Sequence, residues 1–303
     1  MENKKQLHVS IGNINIDFIS FINKKIKIDS SIESKDVWIG LGGAATNYAI
    51  AVSRLNHASK LIARTGKEII KLGFLDKLKE EGVDISDIKI TKEKPGVVMI
   101  IVNRRNSTRT MISSINANKR LDLKDIKIVG DHIHFSSINP RLLKYCNDIR
   151  KINGKDVTIS YDPGGEACYN KEIINNLHLI DWLLINEKEF SCLNLKNKLN
   201  ELFDNRLKFV VIKKGSLGAE ILEKNKKISA KINLNIKQLD PTGAGDAFDA
   251  SYNVFFKETN DEELALKFAI ASGSSKVEKI GSSNMPYLYE INPKIKFVET
   301  FHH

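Results

Sequence analysis

Asp240-Pro241-Thr242-Gly243-Ala244-Gly245-Asp246-Ala247-Phe248 joins a turn of small residues to a run with helical spacing that continues to Phe256. Gly243, Ala244 and Gly245 let the backbone come close to an anion with little side chain in the way. A turn that opens a helix presents unpaired N–H groups and the positive end of the helix dipole to whatever lies in front of it. Asp246 stands at that same point, where a carboxylate can accept a proton from an attacking hydroxyl. Together these are the parts of a phosphoryl-transfer site. A lone Gly-x-Gly-Asp is more often an ordinary loop with an acidic first-turn residue, so the rest of the chain has to decide.

Elsewhere, short apolar runs alternate with helical patterns. Val9–Gly12, Lys60–Ala63, Ile133–Phe135, Val157–Tyr161, Trp182–Ile185 and Phe209–Ile212 read as strands. Helical stretches lie around Ala45–Leu55, Glu68–Glu81, Arg141–Lys151, Glu187–Leu193 and Lys196–Phe203. Repeated β-α units with near-continuous apolar strands predict a parallel sheet covered on both faces. Asp17–Ile28 with Asp36–Ile39, and Val97–Asn103 with Arg109–Ser114, break the rhythm. They read as antiparallel strands outside the main sheet, forming a small lid over a site that must exclude water. No internal repeat or low-complexity linker divides the chain, so one domain over 1–303 is expected, with lid insertions at about 17–40 and 95–115.

The 303 residues suffice for one large α/β core, and 42% apolar with 28% charged residues is ordinary for a globular protein. No run approaches the roughly 18 apolar residues of a membrane span. The N-terminus enters its first strand without a signal-peptide apolar stretch, so a cytoplasmic protein is expected, with no membrane partner. The net charge of +10 comes from lysines scattered along the whole length, which suits solvated faces and mild steering of an anionic substrate better than nucleic-acid binding. Cys146, Cys168 and Cys192 are three, irregularly spaced, and read as reduced thiols. His132 and His134 alternate along a strand and share a face; with no third ligand nearby they read as structural rather than as a metal pair. His302 and His303 could be native or an added tail and carry no argument.

A second glycine turn, Leu41-Gly42-Gly43-Ala44-Ala45-Thr46-Asn47, repeats the logic near the other end of the chain. Its helix projects Asn47, whose amide offers donors and an acceptor suited to vicinal sugar hydroxyls. Asp17 follows the first strand just past its C-terminal end, the edge where ligands gather in open α/β sheets.

Gly12-to-Asp17, Gly42-Gly43-x-x-x-Asn47, Asn186-x-x-Glu189, Lys214-Gly215-Ser216-Leu217-Gly218 and Asp240-to-Asp246 occur in the order found in the ribokinase (phosphofructokinase-B) carbohydrate kinase family, which the chain resembles from about residue 7 to 290. The resemblance implies an α/β, three-layer, doubly wound fold with a mainly parallel sheet and a small inserted antiparallel β lid. It also implies an ATP- and Mg2+-dependent kinase, with a monovalent cation such as K+ as a further requirement in some members. Asp246 then corresponds to the general base, and Gly243, Ala244 and Gly245 to the anion hole. Asp17, Gly42, Gly43, Asn47 and Asp162 correspond to the acceptor-binding set. Asn186, Lys214, Gly215, Gly218 and Thr242 correspond to the nucleotide site, and Glu189 to the magnesium organiser. Phosphoryl transfer is mostly positioning and charge stabilisation, so these parts suffice without a P-loop. Lys213 departs from the family pattern, which often has Thr there; its charge could replace the hydroxyl or point to solvent. Asp249-Ala250-Ser251 departs too, where the family usually reads x-Ala-Gly.

The segments His132–Ser137, Ser160–Gly165 and Ile280–Pro286 are similar to the archaeal branch that includes nucleoside kinases. A nucleoside 5′-hydroxyl is thus the leading acceptor, with Met99, Ile101 and Phe18 or Phe21 as residues able to cover a base. Ribose, fructose or another simple sugar is the alternative. An acidic sugar such as 2-keto-3-deoxygluconate would call on Arg104, Arg105 or Arg109. A sugar or nucleoside binding protein without catalysis is the reading from a different class, and the intact Thr-Gly-Ala-Gly-Asp argues against it. The exposed apolar face of a lid also implies a homodimer through the lids.

Overall fold

Strand Leu7–Gly12 sits where the chain changes direction across a large sheet in the computed structural model, which describes residues 5–27, 29–34, 36–105 and 108–303. On one side it pairs in parallel with Ala58–Gly66, and on the other with His132–Ser136. Thr158–Asp162, Trp182–Asn186 and Phe209–Lys213 follow, all parallel. Ala219–Leu222, Lys227–Ile232 and Val298–His302 close that edge antiparallel. Val83–Asp84 and Ile88–Thr91 extend the other edge. Helices cover both faces, each over its own apolar cluster. The strand pattern predicts a parallel sheet covered on both faces, and the central strands are buried on both faces even where they carry polar side chains such as Ser10, His132 and Ser160.

The chain leaves Leu7–Gly12 and His132–Ser136 in opposite directions, so a crevice opens at their C-terminal ends. Asn13 to Asp17 and Ser137 occupy that crevice. Helices Ala44–Arg54 and Ala244–Thr259 pack on the same face of the sheet and bring both glycine turns to the same edge. Their alignment is fixed by a fully buried polar network. Asn253 accepts from Trp182 Nε1 at 2.8 Å and donates to Tyr48 Oη at 3.1 Å and Ser160 Oγ at 2.9 Å. His132 bonds Thr158 and Ser160 and stacks on Trp182, while His134 stacks on Tyr48 at 4.1 Å. Burial pushes the His134 ring down to about 3, which keeps it neutral. The two histidines are therefore core residues, and no metal-binding group of three or more side chains forms among the described residues.

Several expectations need correction. The helix expected over Glu68–Glu81 is two short ones, Glu68–Lys71 and Phe74–Glu80, because Gly73 takes a left-handed φ of 70° between them. The stretches around 141–151 and 196–203 each open as a 3-10 turn before becoming α-helical. Cys168 and Cys192 are not separate thiols: the turn after Asp162 folds back onto helix Glu187–Cys192 and pairs them at a Cα separation of 4.9 Å. Cys146 remains a buried thiol. His302 is part of the edge strand. Ile28, the expected end of one strand run, and residues 1–4 of the terminus read for a leader lie outside the described residues. Among the described residues no helix is long and apolar enough to cross a membrane.

The second sheet has the strand order Val37–Gly42, Asn15–Ile22, Gly96–Asn103, Thr108–Ser114. Its outer pairings are antiparallel as expected, but the central pair, Asn15–Ile22 with Gly96–Asn103, is parallel. Both strands leave the main sheet at the same edge and run the same way.

Asn253→Leu should destabilise the protein by about 2–4 kcal/mol, because it leaves the Trp182, Tyr48 and Ser160 groups unpaired inside the core. Urea unfolding of the variant beside the wild type measures this.

Candidate active site

Gly243 caps helix Ala244–Thr259 with a left-handed φ of 82°, and a Cβ there would lie 2.3 Å from the Ser282 carbonyl oxygen. Only glycine fits that junction. The first turn of the helix, with Gly245 and Asp246, consequently faces the crevice, and its N–H groups have no partners within the helix. The facing helix Ala44–Arg54 carries Asn47, which donates from Nδ2 to Asp246 Oδ2 at 2.7 Å. Burial pushes the Asp246 carboxyl up to about 6, against the pull of the Asn47 hydrogen bond.

Asp17 lies on the second sheet with its Oδ2 accepting from Ser282 Oγ at 2.5 Å. A Cβ on Gly42 would fall 2.0 Å from that same Oδ2, and one on Gly43 2.3 Å from Asn13 O, so each glycine answers its own close approach. Burial, then the nearby Asp246 charge, raises the Asp17 carboxyl to about 7 although Ser282 opposes the shift. Asp17 Oδ1, Asn47 Oδ1 and Thr242 Oγ1 are buried and have no hydrogen-bond partner among the described residues. Orphan buried acceptors are rare in native structures, and here two belong to Asp17 and Asn47, both neighbours of Asp246.

Asp162 is drawn into a buried charge cluster. Its Oδ1 accepts from Gly164 N at 2.7 Å, and its Oδ2 from Lys213 Nζ at 2.7 Å. Lys213 also reaches both oxygens of Asp249 at 2.9 Å. Sequence reasoning left Lys213 open between phosphate and solvent. It faces inward, paired with two carboxylates, and the charge at Asp249 is the partner that made this possible. Burial works against the Asp162 carboxylate, but the Lys213 ammonium holds it down at about 2. Glu189, buried near Asp162, is raised by burial and by that charge.

Asn186 and Glu189 form a reciprocal capping box: Asn186 N donates to Glu189 Oε2 at 3.0 Å, and Glu189 N to Asn186 Oδ1 at 2.9 Å. One Glu189 oxygen is thus committed to the helix cap. A magnesium ion there fits only as one held mostly by water and phosphate oxygens, with Glu189 and Asp162 as outer partners, since it keeps several waters readily. Lys214 pairs with Glu220 at 2.7 Å, so its ammonium is partly neutralised. Gly215 and Gly218 form the turn beside it, with φ of 58° and 94°.

The second sheet faces the crevice with one side only. Side chains alternate along strands, and the register places Asp17, Ile19, Phe21, Trp38, Val98, Ile100, Val102 and, across the last pair, Arg109, Met111 and Ser113 on one face. Phe18, Met99 and Ile101 occupy the opposite face. Of the expected base-covering residues only Phe21 shares the face of Asp17, and it is buried beneath Arg104. Arg109 Nη1 donates to Pro241 O at 2.9 Å, tying this sheet to the turn that precedes Asp246. Ser282, which bonds Asp17, and Trp38 and Met111, which share its face, were not singled out from the sequence. The period-2 pattern could have identified Met111 had the strand register been known.

If the Asp246 carboxyl titrates near 6 in the folded chain and near 4 unfolded, folding favours its protonated form. That contribution is present at low pH and is lost as the pH rises through about 6. Asp246→Asn should therefore raise the unfolding free energy by about 1–2 kcal/mol at pH 8 and by little at pH 4, read from denaturant midpoints.

The profile described as pfkB family carbohydrate kinase matches residues 5–287. The chain is 27% identical over 295 residues to a nucleoside kinase of Methanocaldococcus jannaschii, covering 94% of this chain and 95% of the relative. It is 23% identical to a ribokinase of Bacillus subtilis, covering 93% and 96%. The crystal structure of the M. jannaschii nucleoside kinase superposes with a TM-score of 0.82 at 24% identity, over 97% of this chain and 99% of that one. With a match over nearly its whole length and the same fold beneath it, the chain belongs to the pfkB family of carbohydrate kinases.

Proposed function

We propose that this kinase transfers the γ-phosphoryl group of ATP, with Mg2+, to a primary hydroxyl of a nucleoside or sugar, with the nucleoside 5′-hydroxyl as the leading acceptor. The observation that carries the reading is the pair of orphan oxygens on Asp17 and Asn47 beside Asp246. Two buried acceptors at fixed positions suit the vicinal hydroxyls of a ribose, and they would hold its primary hydroxyl against the Asp246 carboxylate. Asp246 takes the hydroxyl proton, and Asn47 keeps the receiving oxygen aimed. The N–H groups of Gly243, Ala244 and Gly245 stabilise charge on the transferred group from the positive end of the helix. Asn186, Lys214, Gly215, Gly218 and Thr242 line the approach of the nucleotide. Bound magnesium would neutralise phosphate charge, and Glu189 with Asp162 would orient its water shell.

Similarity to a nucleoside kinase favours a base under the second sheet, which acts as a lid. Trp38 and Met111, on the face of Asp17, replace Met99 and Phe18 as the side chains in position to cover it. Arg109 on that face favours a second reading, an acceptor with an anionic substituent such as an acidic sugar.

Assaying ADP release with MgATP against nucleosides, ribose, fructose and 2-keto-3-deoxygluconate tests the reading. Nucleosides should exceed ribose in kcat/KM by about tenfold, as apolar covering of a base implies. Equal turnover of ribose would return the enzyme to simple sugars, and no turnover of any acceptor would favour a binding protein. Asp246→Asn should lower kcat by roughly 10²–10⁴-fold. The wild-type rate should fall as the pH drops through about 6, since the base works only when ionised.

The outer face of the lid carries Ile39, Phe18, Met99 and Ile112 in one row across all four strands, each of them exposed. Such a row suits a second copy of the same sheet. Light scattering should give twice 34.1 kDa, and Met99→Lys should return the monomer mass.

A further inference from the structure

Lys276 ends helix Glu262–Lys276 and is fully buried, at 0% exposure. Lysine is almost never enclosed so completely without a direct carboxylate partner. Its Nζ donates to Lys279 O at 3.2 Å, and among the described residues no carboxylate stands within ion-pair distance. Burial pushes the ammonium down to about 8, with Asp240 and Asp246 the charges that oppose the shift and Arg109 and Lys279 those that add to it. The group is therefore charged at neutral pH.

Its surroundings are the base of the catalytic turn. Val277 O accepts from Leu239 N at 2.8 Å and from Asp240 N at 3.1 Å. Asp240, also fully buried, accepts from Thr242 N at 2.9 Å through Oδ1 and from Gly281 N at 3.0 Å through Oδ2. Segments 239–243 and 276–282 are thus stitched into one body, which sets the direction of the N–H groups from Gly243 to Gly245. A buried carboxylate at the hub of that body needs positive charge near it. A carboxylate with neighbouring backbone carbonyls is also the kind of oxygen cradle that would otherwise recruit a monovalent cation. Here the charge arrives on a side chain, so a separate K+ does not fit this chain.

We infer that Lys276 is the resident cation of the catalytic turn, a positioning residue that makes phosphoryl transfer by this chain independent of monovalent metal ions. The inference rests on the kinase reading above, so its test includes a measurement that needs no turnover. In choline chloride at matched ionic strength, the wild type should keep kcat within about twofold of its value in KCl. Its melting temperature without nucleotide should be the same in both salts. Lys276→Ala opens space at the same place. Its kcat in choline should fall by about 10²-fold, the usual scale for losing charge organisation at such a turn. KCl or NH4Cl should restore it by at least about tenfold and raise the variant's melting temperature relative to choline. Activation or thermal stabilisation of the wild type by KCl overturns the inference. So does a folded alanine variant that is fully active in choline, or one whose loss no monovalent cation relieves. If no acceptor is turned over at all, the kinase reading fails while the melting comparison still decides the role of Lys276.

Discussion

The hydrogen bond from Asn47 to Asp246 joins two helix starts that lie 199 residues apart in the chain. Each helix begins at a glycine with positive φ and turns its N-terminal end toward the same crevice. The rest of the molecule keeps this meeting in place. The parallel sheet sets the height of both helices, and the Asn253 network beneath them fixes their rotation. Ser282 and Asp17 close the third side. A shift of about an ångström in any of these would part Asn47 from Asp246 and, in the proposed reaction, sacrifice the advantage of fixed orientation.

The site is also an accumulation of buried charge. Asp17 and Asp246 are held in surroundings that disfavour ionisation, while Lys276 is enclosed and Lys213 is mostly covered. Desolvating such groups costs more than their pairing returns in most proteins. The cost is met by a large apolar core on each face of the sheet, and the raised carboxyl of Asp246 is what the proposed role as general base near neutral pH would call for. Lys213 shows the compensation in detail. Where relatives often carry a neutral hydroxyl, this chain has an ammonium, and Asp249 supplies the matching carboxylate one turn into the catalytic helix.

The second sheet shows how much hangs on register. One face carries Asp17 toward the crevice, and the other carries a row of exposed apolar side chains away from it. Because the side-chain period is two, neighbours such as Asp17 and Phe18 have opposite destinations. The parallel central pairing then aligns Met99 with Phe18 rather than with Asp17, and the same alternation brings Arg109 and Met111 to the face of Asp17.

By itself the sequence determined the local chemistry and the fold class. Glycine turns before helical runs, apolar strands in β-α alternation and the ordered motifs from Asp17 to Asp246 are short-range signals, and the structure keeps each as a strand, turn or helix start. Asp246, Asn47 and Asp17 were legible as candidates because they stand at strand ends and helix starts, and the structure brings them close to one another. Only the tertiary structure decided which groups meet across long separations. It joined Asn47 to Asp246, paired Lys213 with Asp162 and Asp249, and brought Cys168 to Cys192. It also buried Lys276 beneath the catalytic turn and chose the inward face of the second sheet. These are matters of pairing register and of burial, which depend on contacts between distant segments and leave no periodic trace in the chain.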